Sequence, residues 1–369
     1  MTPTEEVPAR HPHRQLITCK DAGEESSKAR PKELLALAAT FPADCGASSS
    51  PPPWLDADKI KRGQALFRRH FLGVFISNLV GLVCLLGVHS VLKVLVFTNR
   101  SSVRAATYRR YLSTMNHVKE WYSGDVFHPS SKAFRSIQQV RKMHSNAFTS
   151  AESAQVSVPS QADMVVTQWA FFGVLLIRGR QLGVYCSKEE EEGLVHFWRA
   201  VGYLLGIEDR FNLASGGLEE VRSRCEALRE EMAAGLASPP PHFASMSEAL
   251  LWGVHDVVPL VDPPAFTAFI HGLLGLPRPA LDLTWWSTFI LKLMEWNFGV
   301  LLHLPLLGDV LRGCQNGLLT LALNTCTSYP AVPAFCRQLE KSVFRALERV
   351  MALYYKVIHY SPVSFVYRR

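Results

Sequence analysis

The chain has 369 residues, of which 48% are hydrophobic and only 19% are charged, a composition that excludes an intrinsically disordered protein. The formal net charge is +7, but residues 71–145 contain ten Lys and Arg against only two acids, Glu120 and Asp125. Because the basic excess is confined to one segment, the sequence excludes a uniformly basic coat and predicts no nucleic-acid partner.

Residues 1–55 form a predicted disordered tail. Pro, Ser and charges of both signs dominate this segment, so it cannot bury enough apolar area to offset the entropy of ordering. A short stretch around residues 34–41 could be helical, but it stands alone. Residues 56–369 are predicted to form a single large all-α domain, because several apolar stretches exceed strand length and no alternating strand series is found.

Two apolar stretches raise the question of a membrane. Residues 71–88 are uncharged and close to the minimum for a span, and Gly73, Ser77 and Gly81 would form a small-residue face for close helix packing. The other interpretation is a fully buried central helix. Residues 284–304 contain Lys292 and Glu295, which would be costly in lipid, so they are predicted to be core or interface.

Capping signals locate three further helices. Ser187 and Glu190 make a capping box before an apolar stripe, and residues 245–248, Ser-Met-Ser-Glu, repeat the same pattern. Pro333 suits the first turn of a closing helix. The apolar positions of that closing helix are Leu339, Val343, Ala346, Leu347, Val350 and Tyr354.

Eight cysteines are scattered through the chain without any C-x-x-C pair, which argues against a zinc ribbon or a disulfide framework. The N-terminus lacks the apolar region of a cleavable signal peptide. Reduced thiols and an intracellular location are therefore expected.

His144 is a candidate metal or haem ligand. In a helix over residues 133–148 it shares the apolar face of Ile137 and Val140, so its imidazole points into packing. A buried imidazole without a partner costs about 1–3 kcal/mol. His144 is therefore either a core histidine with a hydrogen-bond partner or a ligand that binds a metal or haem iron. The sequence alone leaves both interpretations open.

Arg110, Thr114 and His117 fall on one face of the preceding helix. Arg110 is a permanent cation that can bind a carboxylate or a propionate, and Thr114 offers a hydroxyl group. The alternative is a solvated basic face. No H-E-x-x-H pattern, P-loop or G-x-S-x-G elbow occurs in the chain.

Several short motifs, in this order, resemble the rubber-oxygenase (latex-clearing protein) catalytic-domain family, which includes the endoplasmic-reticulum-bound oxygenase of mycophenolic acid biosynthesis. The resemblance extends from about residue 57 to about residue 325. The motifs are Thr98-Asn99-Arg100-Ser101, Arg109-Arg110-Tyr111-Leu112-Ser113-Thr114, Val140-Arg141-Lys142-Met143-His144, Gln168-Trp169-Ala170-Phe171-Phe172 and, within residues 196–207, Trp198-Arg199-Ala200-Val201-Gly202-Tyr203-Leu204-Leu205-Gly206.

The resemblance implies an all-α bundle with haem b in a buried pocket, His144 as the proximal iron ligand, and Arg110 and Thr114 beside the haem. Two departures are visible. The position of the family's distal lysine is occupied by Ser113, and no acid lies between Asp58 and Glu120, where the family's proposed base would be expected.

The predicted function is a haem b-dependent oxygenase that uses O2 on an apolar substrate of the isoprenoid or lipid class, with Arg110 and Thr114 as catalytic residues. Residues 71–97 would line the substrate channel or contact a membrane. The resemblance implies the endoplasmic reticulum membrane as an expected location. Two alternatives remain open at this point. One is a membrane-associated helical protein that keeps the fold as a non-catalytic binding module, and the other is a non-haem metal hydrolase using His117, His128 and His144.

Overall fold

A computed structural model describes residues 31–46, 50–98, 104–258, 260–277, 279 and 282–329, with a few isolated positions beyond residue 330. This part of the chain is all-α, as predicted, and contains no β-strand. Its helices are α1 (Pro31–Ala38), α2 (Ala57–Arg69), α3 (Phe71–Leu86), α4 (His89–Phe97), α5 (Arg104–Trp121), α6 (Lys132–Ser153), α7 (Gln161–Arg178), α8 (Lys188–Leu204), α9 (Leu218–Ala237), α10 (Phe243–His255), α11 (Pro263–Leu274), α12 (Trp285–Gly299) and α13 (Leu307–Ser328).

The uncharged helix α3 is the centre of the bundle. Fourteen of its sixteen residues are buried, and it packs against α7 along its length. The small-residue face predicted from Gly73, Ser77 and Gly81 makes close approaches possible, since a Cβ on Gly81 would overlap the carbonyl oxygen of Ala170. Of the two interpretations of residues 71–88, the buried central helix is the one that the structure shows. Helix α3 has almost no apolar surface left for lipid.

A second close crossing joins α2 to α8. A Cβ on Gly63 would lie 2.5 Å from the carbonyl oxygen of Gly193, so the two backbones touch where neither residue has a side chain. Asp56 caps the start of α2 by accepting hydrogen bonds from the backbone N–H groups of Asp58 and Lys59. Ser187 and Glu190 form the predicted capping box at the start of α8. The two helices thus begin at well-defined positions and are held in register.

The aromatic core lies between α2, α5 and α8. The Tyr122 ring stacks between Phe67 and Phe197, with ring centroids 4.1 Å away on each side. The Tyr122 hydroxyl accepts a hydrogen bond of 2.7 Å from the Trp198 indole N–H. Two of the sequence motifs, represented by Trp198 and Gln168, are linked in this core because Gln168 Nε2 donates to the Trp198 carbonyl oxygen at 2.8 Å. These motif residues therefore stabilise the bundle rather than face a substrate.

The structure corrects two predicted boundaries. Residues 31–46, placed in the tail by composition, include α1 and the fully buried Phe41, whose carbonyl oxygen accepts from the Gln161 N–H at 3.1 Å. Helix α10 begins at Phe243, so the Ser-Met-Ser-Glu pattern of residues 245–248 lies inside the helix and does not cap it. Residues 1–30 and nearly all of the predicted closing helix lie outside the described residues.

Cysteine usage also differs from the expectation. Five described cysteines are free, namely Cys84, Cys186, Cys225, Cys314 and Cys326. Cys45 is disulfide-bonded, so not all eight thiols are reduced.

One helical segment of the described residues, Gln161–Leu182, is long and apolar enough to cross a membrane. About 61% of its apolar window is buried inside the bundle, mainly against α3 and α9. Helices α2 and α3 reach a comparable length only when taken together, and a bend of 94° separates them.

We expect Gly81→Ala to lower the free energy of unfolding by about 2–3 kcal/mol or more, because α3 must move away from α7 to accept the new methyl group. The matched control is Gly272→Ala, at an exposed helical position with nothing within 4 Å of the new Cβ, which should be neutral or slightly stabilising. Urea denaturation of both variants measures the difference. Equal stability of the two variants would contradict the tight crossing.

Candidate functional site

Helix α6 presents His144 on its inward face, as the sequence pattern predicts. Ser131 caps the start of this helix by accepting a hydrogen bond from the Ala133 N–H. Ile137 and Val140, on the same face as His144, are buried in the core. The spacing of seven and four residues from these positions brings the His144 ring to the same side of the helix.

The Nδ1 atom of His144 is buried and has no hydrogen-bond partner among the described residues. The ring packs on Phe148 with 5.7 Å between centroids. Burial, followed by the positive charge of Arg110, lowers the pKa of His144 from 6.5 to about 4, whereas the charge of Asp44 acts in the opposite direction. The imidazole is therefore neutral at physiological pH, which is the state that binds a metal.

Arg110 and Thr114 lie on α5, which packs against α6. Arg110 is half-buried, and its charge acts on His144. The Thr114 hydroxyl donates to the Arg110 carbonyl oxygen at 3.0 Å, so its proton is used within the helix and its oxygen remains an acceptor. The role of Thr114 beside a haem stays a prediction.

His117, predicted to share a face with Arg110 and Thr114, has a different environment. Its Nδ1 lies 2.7 Å from the hydroxyl of Ser136 on α6, and Trp121 donates to the same hydroxyl at 2.9 Å. Burial lowers the pKa of His117. These two contacts to one serine hold α5 against α6, which gives His117 a structural position between the helices.

An ion pair that sequence analysis missed lies one helical turn before His144. Arg141 binds Asp44 through two hydrogen bonds, Nε to Oδ2 at 2.8 Å and Nη2 to Oδ1 at 2.6 Å. Burial alone would raise the pKa of Asp44, but the hydrogen bonds from Arg141 and from the Gly46 N–H keep the pKa below its ordinary value. Asp44 belongs to the segment predicted as tail, about a hundred residues before His144, so no local pattern could have revealed this contact.

The described residues form at least two clefts. The first, which we call the arginine cleft, has a volume of about 1070 Å³. Its charged lining residues are Arg69, Arg178, Arg180, Arg222, Arg312, Glu190, Glu191 and Asp309. The second cleft, of about 570 Å³, lies between α5, α6 and α13 and includes Ser113 and His117. Neither cleft includes His144, Arg110 or Thr114 in its lining.

The three-histidine metal site proposed from sequence is not formed. His128 is exposed and bonded to Ser130 at 2.8 Å, whereas His117 is bonded to Ser136. Within the described part of the chain, no group of three or more His, Cys, Asp or Glu side chains is arranged to hold a metal ion.

Comparison with known proteins places this fold in a family of oxygenases. A sequence model described as "ER-bound oxygenase mpaB/B'/Rubber oxygenase, catalytic domain" matches residues 68–296, which is more than half of the chain and includes Arg110, Thr114 and His144. The chain belongs to this family. None of the curated proteins is similar to it at a significant level.

The fold is also similar to a solved structure, latex clearing protein in the closed state. The TM-score is 0.52 with 18% sequence identity, and the match covers 74% of this chain and 76% of the other. At this identity the similarity confirms the all-α fold.

The pKa of His144 predicts how stability changes with pH. Above pH 6.5 the residue is neutral in both the folded and the unfolded chain. Between pH 6.5 and 4 the unfolded chain binds a proton that the folded chain excludes, so stability falls with pH. Between pH 7.5 and pH 5, the free energy of unfolding of the wild type should fall by about 2 kcal/mol more than that of His144→Phe, which has no imidazole to protonate. Urea denaturation at the two pH values measures both decreases.

His70 also has a lowered pKa, of about 3, chiefly through burial. Its contribution is common to the wild type and the His144→Phe variant, and it therefore cancels when the two pH profiles are compared. If the free energies of unfolding of the two proteins changed with pH in parallel, the folded protein would protonate His144 as readily as the unfolded chain does, and the prediction would be wrong.

Proposed function

We propose that the protein is a haem b-dependent oxygenase that uses O2 on an apolar substrate of the isoprenoid or lipid class. Family membership supports an oxygenase, and the structural neighbour is named for clearing latex, an apolar polymer. The observation that carries the haem assignment is the buried, unpartnered and neutral Nδ1 nitrogen of His144. A buried polar atom left without a partner costs about 1–3 kcal/mol, and a bound ligand would remove that cost.

The residues of this region fit haem in three respects. His144 offers a neutral imidazole on the inward face of α6 as the iron ligand. Arg110 supplies a permanent positive charge nearby, which suits a haem propionate. The aliphatic and aromatic neighbours of His144, among them Val140 and Phe148, supply the apolar surroundings that a porphyrin needs.

Bound haem would supply the capacity to bind and activate O2. His144 would hold the iron through its neutral imidazole, and Arg110 would bind a propionate. Thr114 contributes an acceptor oxygen rather than a proton, because its own proton is bonded to the Arg110 carbonyl. The Asp44–Arg141 ion pair fixes the turn of α6 that precedes His144, which keeps the imidazole from rotating away with the helix.

Two departures from the family pattern favour a second candidate function, a membrane-associated helical protein that keeps the fold as a non-catalytic binding module. Ser113, at the position of the distal lysine, is exposed and lines the 570 Å³ cleft. No acid lies between Asp58 and Glu120, and the carboxylate that acts on His144, Asp44, is already bound to Arg141. For both the oxygenase and the binding module, we propose an intracellular location associated with the endoplasmic reticulum.

We expect haem-loaded protein to show a Soret band and to incorporate label from ¹⁸O2 into an unsaturated isoprenoid or lipid. His144→Ala should abolish both without loss of helical circular dichroism, because the iron loses its protein ligand. His128→Ala is the matched control, because His128 is exposed, is bonded to Ser130 and has no role in the proposed haem site. Normal haem content in His144→Ala would refute the ligand assignment, and colourless wild-type protein after haem supplementation would favour the binding module.

Arg110→Gln should weaken haem binding by about 10- to 100-fold, the range expected when a charged hydrogen bond worth about 1.5–3 kcal/mol is lost. Arg109→Gln is the matched control, because Arg109 is the adjacent exposed arginine and lines the 570 Å³ cleft instead. Haem titration followed at the Soret maximum measures both affinities. Equal weakening by the two substitutions would indicate a general loss of positive charge and would contradict the specific role of Arg110.

A further inference from the structure

The described residues carry an unusual concentration of exposed apolar side chains near their C-terminal end. Thirteen of the eighteen large hydrophobic residues that are exposed lie between residues 285 and 335. Those on which the argument depends are Trp285, Phe289, Trp296, Leu306, Leu318 and Leu321. We call the surface that they form on α12, α13 and the connecting loop the apolar face. Exposed apolar surface on this scale marks a site of interaction.

The two helices contribute to this surface in the same way. On α12, Trp285, Phe289 and Trp296 follow a spacing of four and seven residues and therefore share one side of the helix. Lys292, at the edge of this side, is neutralised by Glu295 at 2.6 Å. On α13, no charged residue occurs from Gly313 to its end, although much of this stretch is exposed.

The loop between α12 and α13 extends the apolar face outward. Residues 304–307 are Leu-Pro-Leu-Leu, and all four are exposed. Leu306 has a φ of 60°, a backbone conformation that is rare for a residue with a Cβ, and 82% of its side chain is accessible. An uncommon backbone conformation that holds a leucine in solvent is a feature of functional sites, and here it adds a protruding apolar side chain to the apolar face.

A net positive charge lies beside the apolar face. The arginine cleft opens beside this loop, since Leu302, His303, Leu304 and Pro305 form part of its lining. Five arginines and three acids line it; four of the arginines are in ion pairs, whereas Arg180 is exposed without an ion-pair partner among the described residues. The Nε atom of Arg312 is buried there without a hydrogen-bond partner. Beyond α13, residues 330–369 add seven Lys and Arg against two acids.

We propose that the apolar face docks on the surface of an anionic lipid bilayer, with the arginine cleft facing lipid headgroups. Tryptophan, phenylalanine and leucine beside basic groups are the composition of an interfacial membrane contact. A second protein copy would explain the apolar residues but not the arginines. This inference places the membrane contact away from α3, because α3 is buried, and it does not depend on haem binding.

The test is sedimentation of the full-length protein with sucrose-loaded phosphatidylcholine vesicles, with and without phosphatidylserine. We expect binding that increases with phosphatidylserine and decreases with salt. Trp285→Ser with Trp296→Ser should reduce the partition coefficient at least about tenfold, because two large apolar side chains are lost. Leu306→Ser should also reduce it, while Leu260→Ser, at an exposed leucine elsewhere on the surface, should not.

Arg180→Gln should reduce binding about fivefold only when phosphatidylserine is present, the effect expected for one basic group near an anionic surface. Failure of the wild type to sediment with vesicles would overturn the proposal. So would unchanged binding of both the double tryptophan variant and Leu306→Ser. The two variants are checked for native circular dichroism, and Leu306→Ser alters only one solvent-facing loop residue.

Cys314, an exposed free cysteine on α13, reports whether protein or lipid covers the apolar face. Maleimide should label it rapidly without vesicles and at least about tenfold more slowly with them, because bilayer contact removes it from water. The Cys314→Ser variant provides the background from other thiols. Slow labelling without vesicles would show that a second copy or the chain's own C-terminal segment covers the face, and would overturn the proposal; light scattering would distinguish these two.

Discussion

The backbone contact between α3 and α7 constrains the rest of the bundle. Helix α3 has no charged residue and only two of its sixteen residues are not buried, so it must be surrounded by other helices. Gly81 allows the Ala170 carbonyl to approach where any side chain would overlap it. A similar contact between Gly63 and Gly193 joins α2 to α8. Close approach increases the dispersion contacts between neighbouring side chains, which makes the core dense and the helix positions unique.

The candidate site depends on how α5 and α6 are held within this frame. Ser136 accepts or shares hydrogen bonds with both Trp121 and His117, which locks the two helices together at one end. Near the middle of α6, Arg141 binds Asp44 and so attaches this helix to the segment after α1. His144 lies one helical turn beyond this second attachment. Its burial, more than any single charge, determines its neutral state, because desolvation is the largest cause of its lowered pKa.

The two apolar stretches of the sequence differ in how far they are buried. Residues 71–88 suggested a span or a core helix, and they are core. Residues 284–304 were predicted to be core or interface because Lys292 and Glu295 interrupt them, and their helix α12 buries only five residues. Hydropathy does not distinguish these cases, since burial depends on whether other helices cover a surface. The charged pair of α12 is compatible with exposure because the two groups neutralise each other at the edge of the apolar side.

The sequence by itself determined the all-α class, the capping box of α8, the inward face of His144 and the family, because these depend on local periodicity and on motifs in order. It placed the start of the ordered structure too late, since the burial of Phe41 and the Asp44–Arg141 pair joins segments about a hundred residues apart. Only the tertiary structure decided which apolar surface stays exposed, because that depends on which helices meet, and no local pattern contains this information.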